Sequence, residues 1–130
     1  MGDVAVAVHP DDSRYKEYIG RKLIHPFRKN QDENYVIPIV ADSYVNPSLG
    51  TGAVKMTPGH DQNDFEVGQR HNLPLLNVLS EDGTIKLSNN STEWREEAEK
   101  LQGVPRFKAR QAILSDLKKF DLFRGQESHA

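Results

Sequence analysis

A run of alternating valine and alanine, residues 4–8, lies near the start of the chain. Its period of two and its β-branched residues predict a buried strand, which ends before Pro10. Three further apolar runs predict strands, at residues 22–27, 35–41 and 53–57. Pro38 lies inside the second of them, and because proline has no N–H it places that strand at a sheet edge or at a bulge.

Elsewhere the apolar spacing changes to that of a helix. Four helices are predicted: a short one capped by Asp11 or Asp12 and ended by Gly20, one over 62–71 capped by Asp61, one over 93–101, and one with Pro105 as its first residue. Residues 75–79 and 84–87 flank a turn and predict a hairpin-like pair. Strands dominate the first two thirds of the chain and helices the end. This order favours an α+β domain with a curved or barrel-like sheet and helices packed around it.

Two helical segments carry apolar stripes that predict core positions. The first has Trp94, Ala98 and Leu101 on one face. The stripe of the last helix consists of Ala109, Ile113, Leu117 and Phe120.

Composition narrows the class of protein. With 130 residues, 36% of them hydrophobic and 28% charged, the chain suits one globular domain. No apolar run approaches the ~18 residues of a membrane span, and no signal peptide pattern is present, so we expect no membrane partner. The sequence has no cysteine, which excludes disulfides and thiolate chemistry. These features predict a cytoplasmic location and leave a mitochondrial one open.

Charge is spread unevenly along the chain. The net charge of -2 gives no overall nucleic-acid signature. Residues 103–124, however, contain six cations against two acids, Asp116 and Asp121. A solvated helix face is the interpretation that the sequence alone favours, and contact with phosphates is the alternative.

Candidate chemistry is concentrated in the centre of the chain. A glycine turn (Gly50, Thr51 and Gly52) precedes the strand predicted at 53–57. Alternation along that strand directs Lys55 and Thr57 to one side and the apolar residues between them to the core. His60, Asp61 and Asp64 follow, at a helix start where backbone N–H groups are free.

Two interpretations of these side chains remain open. In the first they form a polar pocket, in which two carboxylates suit an ammonium while Lys55 and Thr57 suit a hydroxyl or a carbonyl. In the second they form a local network, in which Asp61 caps its own helix, Asp64 pairs with Lys55 or Arg70, and Thr57 merely ends a strand. For the group as a whole the pocket is favoured, because five polar side chains beside glycines would make a poor core.

Other site types have weaker support. His60, Asp61 and Asp64 could bind a metal, but the remaining histidines show no paired ligand spacing, so no metal site is predicted. No serine lies in a Gly-x-Ser-x-Gly setting, and the glycine turn fits neither the Walker nor the dinucleotide pattern.

Residues 50–71 (GTGAVKMTPGHDQNDFEVGQRH) resemble the editing-domain (CP1) signature of valyl-tRNA synthetases. The resemblance extends over most of the chain and includes residues 2–12 (GDVAVAVHPDD), 24–27 (IHPF) and 103–110 (GVPRFKAR). Isoleucyl and leucyl enzymes carry related Gly-Thr-Gly and Pro-x-His segments but not the full pattern. One departure is Gly59, where most family members have alanine, a change not expected to alter the chemistry.

The resemblance implies a distorted β-barrel with surrounding helices and the hydrolysis of threonine esters from the 3′ end of tRNA(Val). In matching positions, Asp64 corresponds to the carboxylate that holds the α-ammonium of the substrate. Lys55, Thr57 and Asp61 correspond to the pocket for the threonine side chain and ester. The expected catalytic residues are thus Asp64, Lys55 and His60, the last with no defined role, and the glycine turn completes the substrate-binding set.

Elementary chemistry explains why such a site is needed. An apolar pocket that admits valine rejects threonine by only about 10²-fold, a limit for which the valyl enzymes are themselves the usual example. A second pocket that hydrogen-bonds the hydroxyl discriminates better, because valine would leave buried polar groups unpaired. Water can attack the ester directly, so we expect editing to need no cofactor; ATP serves only the synthetic domain of the parent enzyme.

Family features that this sequence lacks predict that the chain is a fragment. A Thr-Thr-Arg-x-Glu-Thr segment normally precedes the match at Gly2, and the two ATP signatures, His-x-Gly-His and Lys-Met-Ser-Lys-Ser, are absent. Residues 1–130 are therefore expected to be a single editing-domain core that does not activate amino acids. The expected partners are the tRNA(Val) 3′ end, a threonyl ester and the rest of the synthetase. Two alternatives remain, a non-catalytic module that binds a tRNA end or aminoacyl ester, and a purely structural fragment.

Overall fold

A computed structural model describes residues 1–28, 36–87 and 94–126. Its elements are β1 (Ala5–Val8), a 3₁₀ turn (Lys16–Tyr18), β2 (Lys22–Ile24), β3 (Val36–Ala41), β4 (Ala53–Met56), α1 (Gln62–Arg70), α2 (Glu96–Glu99) and α3 (Arg106–Lys119). The four strands form one mixed sheet in the order β2-β3-β1-β4. The α+β class is thus confirmed. Within the described residues the sheet is open, with β2 and β4 at opposite edges, so the distorted barrel is not shown.

Strand β1 is the centre of the fold, as its valine–alanine pattern predicts. It pairs in parallel with β3 and antiparallel with β4. Ala5 and Ala7 are fully buried on one face, where they pack with Met56 of β4, Val67 of α1 and Val45. This cluster joins the central strands to the helix that follows the glycine turn.

A second core lies around α2 and α3. It contains Val4, Phe27, Leu76, Val78, Ile85, Leu87, Trp94, Ala98, Leu101 and Ala109. The remaining residues of the α3 stripe, Ile113, Leu117 and Phe120, are partly buried against it. Both apolar stripes predicted from the sequence are therefore confirmed as core positions.

The prediction for Pro38 was wrong, because β3 lies inside the sheet and not at its edge. The N–H of Ile39 donates to the carbonyl of Arg21, 2.8 Å away, on the β2 side. Since N–H groups alternate along a strand, the nitrogen of Pro38 faces β1. The pairing with β1 starts one residue later, at Val6 and Ile39, so the proline ring removes no bond of that ladder.

Several boundaries differ from the predictions. Strand β2 ends at Ile24 instead of residue 27, because the N–H of Phe27 turns back to Nδ1 of His25 at 3.1 Å. The hairpin pairing exists, with Lys86 N–H donating to the Val78 carbonyl at 2.8 Å, but among the described residues it is a single isolated bridge between Leu79 and Ile85. Helix α2 covers only Glu96–Glu99, and residue 93 lies outside the described residues. Pro105 caps α3 instead of forming its first residue.

The predicted cap of the first short helix was wrong. That segment is a 3₁₀ turn whose N-cap is Tyr15, with no side-chain cap bond, and the Asp12 carboxylate instead accepts the backbone N–H of Arg14 at 3.0 Å. Gly20 closes the 3₁₀ turn with a φ of 87°. Among the described residues, no helix is long and apolar enough to cross a bilayer.

A buried carboxylate at the end of β3 anchors the far end of α1. Asp42 accepts hydrogen bonds from Nε and Nη2 of Arg70, both at 3.0 Å, and Nε2 of His71 lies 2.9 Å away. The bonds from Arg70 outweigh the opposing effect of burial, and with the Tyr44 N–H and His71 they lower the pKa of Asp42 to about 2. The helix orientation therefore depends on an ionised Asp42.

This anchor predicts an acid-sensitive fold. The folded-state pKa of Asp42 lies below the value of about 3.9 expected for the unfolded chain. Its stabilising contribution is complete above that value and is lost as the pH falls towards 2. Asp42→Asn should be less stable at pH 7 and should lose less stability between pH 5 and 2, as measured by urea unfolding. Equal pH dependence in Asp42→Asn and in the exposed control Glu81→Gln would contradict this assignment.

Candidate functional site

The end of β4 and the start of α1 bring together a buried carboxylate and a hydroxyl. Oδ2 of Asp64 accepts the backbone N–H of Thr57 at 3.0 Å and its hydroxyl at 3.2 Å. Asp64 is only 7% exposed. Both bonds use the same oxygen, and no described residue hydrogen-bonds Oδ1. The carboxylate thus retains an acceptor for a ligand.

Asp61 confirms one part of the local-network interpretation. Its Oδ1 accepts the backbone N–H of Asp64 at 3.0 Å, which makes it the N-cap of α1. The other part was wrong, because Arg70 pairs with Asp42 and not with Asp64. Within the described residues Asp64 forms no ion pair with Lys55 either. Among the described residues, no cation therefore neutralises the Asp64 carboxylate.

Lys55 lies on the solvent side of β4, as alternation predicts. It is exposed, whereas the next residue, Met56, is fully buried. Lys55 lines a cavity of about 300 Å³ together with Asp3, His25 and apolar residues of β2 and α3. Burial alone would raise the pKa of Asp3. A hydrogen bond with His25 and nearby positive charges, including that of Lys55, together have the larger effect and hold this pKa well below its usual range. Lys55 therefore faces a second carboxylate that the sequence analysis did not include.

The imidazole ring of His60 is held by the backbone of Val78. Its Nε2 lies 3.1 Å from the N–H of Val78, which can only donate, so the ring proton is on Nδ1. Burial, the N-terminal charge and Lys55 lower the pKa of His60, which favours the neutral ring. In this arrangement His60 can donate from Nδ1 but cannot accept a proton at Nε2 unless the contact to Val78 breaks.

The glycine turn has the backbone shape expected of it. Gly50 and Gly52 have φ values of 58° and 78°. A side chain at Gly52 would meet Arg14, Asp12 and the carbonyl of Pro47, so the protein itself fills the space there. At Gly50 nothing lies within 4 Å, which leaves room for a ligand.

The residues that hold this turn were missed by the sequence analysis. The Tyr15 hydroxyl donates to the Thr51 carbonyl at 2.6 Å, and Nη2 of Arg14 donates to the Pro47 carbonyl at 2.7 Å. Asp12 in turn orients Arg14 through bonds of 3.0 and 2.8 Å. These contacts join positions more than 30 residues apart, and no local pattern reports them.

The predicted site residues fall into three groups, of which Lys55, in the cavity with Asp3 and His25, is one. Thr57, Asp61 and Asp64 lie together, with His60 in the connection between them. The glycine turn lies at the opposite end of β4, and four strand residues span about 13 Å. The turn instead lines a cavity of about 460 Å³ with residues 124–126. No three acidic or histidine side chains of the described residues are grouped as metal ligands.

Comparison with known proteins identifies the family of this chain. A family model described as leucyl-tRNA synthetase, editing domain, matches residues 12–117. The chain belongs to that editing-domain family. The valine–tRNA ligase of Enterococcus faecalis is 51% identical over 91% of this chain, that of Treponema denticola 47% over 98%, and that of Francisella tularensis 44% over its full length. The resemblance to the valyl enzymes is confirmed.

The chain matches a small part of those ligases. The chain spans only 12% of the first two proteins and 13% of the third. Gly59, the departure noted above, lies against the main chain, since a Cβ there would be 2.8 Å from the Leu76 carbonyl oxygen. An alanine would therefore require the backbone near Leu76 to shift.

The glycine turn of the editing domain offers a matched test of close packing. Gly52→Ala should destabilise the fold by about 1–3 kcal/mol, because it adds both strain at positive φ and a clash with Arg14. Gly83 has a similar φ of 80° with open space around it, so Gly83→Ala adds the strain alone. Urea unfolding should show the larger loss for Gly52→Ala. Equal losses would mean that Arg14 and Asp12 do not pack against the turn.

Proposed function

We propose that this editing domain hydrolyses the ester that joins threonine to the 3′ end of tRNA(Val). The supporting observation is the Thr57–Asp64 pair, in which a buried carboxylate keeps Oδ1 available beside a hydroxyl. An α-ammonium is the natural partner of such an oxygen, since charge-assisted hydrogen bonds are roughly twice as strong as neutral ones. Asp64 thus fixes the amino end of the substrate.

Recognition of the threonine hydroxyl follows from the same pair. The hydroxyl of Thr57 donates to Asp64, so its lone pairs remain to accept a hydrogen bond from the substrate hydroxyl. A valine side chain would leave Thr57 without that bond, at a cost of about 1–3 kcal/mol. Lys55 and the exposed oxygen of Asp61 provide a further donor and acceptor. The pocket therefore favours threonine by a hydrogen-bonding contrast and not by size.

The hydrolysis itself needs no covalent intermediate. A water molecule attacks the ester carbonyl, the bond to the ribose oxygen breaks, and free threonine and tRNA leave. The side chains then act mainly by positioning the ester relative to the water. His60, with its proton on Nδ1, contributes as a hydrogen-bond donor in this proposal.

Deacylation assays test the proposal. A valine–tRNA ligase that carries this domain, and the 130-residue chain itself, are incubated with Thr-tRNA(Val) and Val-tRNA(Val). Release of threonine with valine spared is the expected result. If the Thr-tRNA(Val) complex forms without turnover, the domain is a non-catalytic binding module, and if neither occurs it is structural.

A further inference from the structure

The chain contains the same histidine–proline turn twice, once near solvent and once buried. Residues 9–11 (His-Pro-Asp) follow β1, and residues 25–27 (His-Pro-Phe), here called the buried turn, follow β2. In each of them Nδ1 of the histidine accepts the backbone N–H two residues later, at 3.1 Å. His9 is partly exposed, whereas His25 is only 4% exposed. The two turns therefore share their hydrogen bonding and differ in their access to water.

The bonds of the buried turn require a neutral imidazole. Because Nδ1 of His25 accepts the N–H of Phe27, the ring proton is on Nε2, which donates to Oδ2 of Asp3 at 3.3 Å. A second proton on Nδ1 would point at the N–H of Phe27, and the bond between them would break. The backbone N–H would then be buried without an acceptor, which is unfavourable. Uptake of a proton and the closed form of the turn are therefore incompatible.

The surroundings of His25 also oppose a positive charge on its ring. Burial lowers the pKa of His25, and the charges of Arg28 and of the N-terminal ammonium act in the same direction, against the opposite effect of Asp3. The other described groups that line the cavity beside the ring are Lys55 and apolar side chains of β2, β3 and α3. The folded protein therefore keeps this ring uncharged at neutral pH.

The buried turn joins the sheet to the helical part of the core. The ring centroid of His25 lies 6.2 Å from that of Phe27 and 6.2 Å from that of Trp94. The Phe27 carbonyl accepts the N–H of Arg95 at 2.8 Å, and the Phe27 ring lies 6.1 Å from that of Phe120, the C-cap residue of α3. The turn also forms one wall of the cavity of about 300 Å³. A change in the turn would therefore reach both α3 and the cavity.

We propose that the buried turn is an acid-sensitive contact, in which protonation of His25 breaks its bond with the Phe27 N–H and releases the turn from Trp94. The cavity that Lys55 lines loses one wall at the same time. The folded protein binds this proton less readily than the unfolded chain, in which histidine titrates near about 6.5. The contact is therefore complete above that pH and is lost as the pH falls below it. The turn at His9 should not respond, because water can replace its bonds.

The fluorescence of Trp94, the sole tryptophan of the chain, tests the proposal in the 130-residue protein between about pH 7.5 and 4.5. As the pH falls, the emission maximum should move to longer wavelength, and it should return on neutralisation. His25→Asn takes up no proton, but its Oδ1 can accept the Phe27 N–H as in an Asx turn, so its emission maximum should stay constant. His9→Asn is the matched control and should respond as the unchanged protein does.

Asp3→Asn keeps the test decisive if His25→Asn does not fold. It removes the carboxylate that favours the charged ring, so the fluorescence transition should move to lower pH by about one unit. A constant emission maximum in the unchanged protein, or the same shift in His25→Asn, would overturn the proposal. Loss of intensity at constant wavelength would also overturn it, because it would show protonation without release of the turn. No tRNA is involved, so these results do not depend on the proposed function.

Discussion

Asp64→Asn is expected to lower kcat/KM for hydrolysis of Thr-tRNA(Val) by about 10- to 100-fold. The substitution removes the charge that binds the substrate ammonium, and hydrogen bonds to charged groups contribute about 1.5–3 kcal/mol. The asparagine oxygen can still accept the N–H and hydroxyl of Thr57, so the connection between β4 and α1 is kept. Measured in a valine–tRNA ligase that carries this domain, the rate should fall while the unfolding midpoint changes little.

A second variant distinguishes ammonium binding from side-chain selection. Threonyl and valyl esters share the ammonium, so Asp64→Asn should slow any hydrolysis of both by a similar factor. Thr57→Val removes only the hydroxyl and should reduce the preference for threonine over valine. Unchanged turnover in Asp64→Asn would remove Asp64 from the site. A loss of selectivity in Asp64→Asn alone, with Thr57→Val normal, would reverse the two roles.

Features encoded by neighbouring residues were predictable from the sequence. The valine–alanine period of β1, the Asp61 cap of α1 and the apolar stripe of α3 all appear as expected. Thr57, Asp61 and Asp64 lie within eight residues, so a strand, a turn and a helix start suffice to bring them together. Such short-range geometry follows from backbone periodicity alone.

Long-range pairing was not predictable. The position of Pro38 depends on β3 lying between β2 and β1, and strand order carries no local signal. The contacts from Arg14 and Tyr15 to the loop before β4 likewise join distant parts of the chain. The prediction that Arg70 pairs with Asp64 was wrong for the same reason, since its actual partner, Asp42, is 28 residues away in sequence. In each case the tertiary fold decides which distant residue or strand is the neighbour.

The Thr57–Asp64 pair itself depends on apolar packing behind it. Met56 precedes Thr57, lies opposite Ala5 in the sheet and packs in the cluster that contains Val67 of α1. Both Met56 and Val67 have no exposed surface. We expect this shared cluster to fix the distance between β4 and α1, and thereby the distance between the hydroxyl and the carboxylate.

Met56→Ala is therefore expected to destabilise the domain by about 2–5 kcal/mol, through lost burial and the cavity left between strand and helix. Against a total stability of about 5–15 kcal/mol, this is the largest loss we expect from a single substitution at the site. Met56→Leu conserves most of the volume and should cost less than about 1.5 kcal/mol. Leu75→Ala, at a position that is 61% exposed, serves as the surface control.

Urea unfolding gives the stability of the three variants, and threonine release gives their activity at a temperature where each is folded. Met56→Ala should lose activity even when folded, because α1 is no longer held against β4 and the bond of 3.2 Å between Thr57 and Asp64 loosens. Met56→Leu should retain it. If Met56→Ala unfolds at the same urea concentration as Leu75→Ala, then Met56 does not support the core. If it is destabilised but fully active, the pair is held by its own hydrogen bonds and not by the packing beneath it.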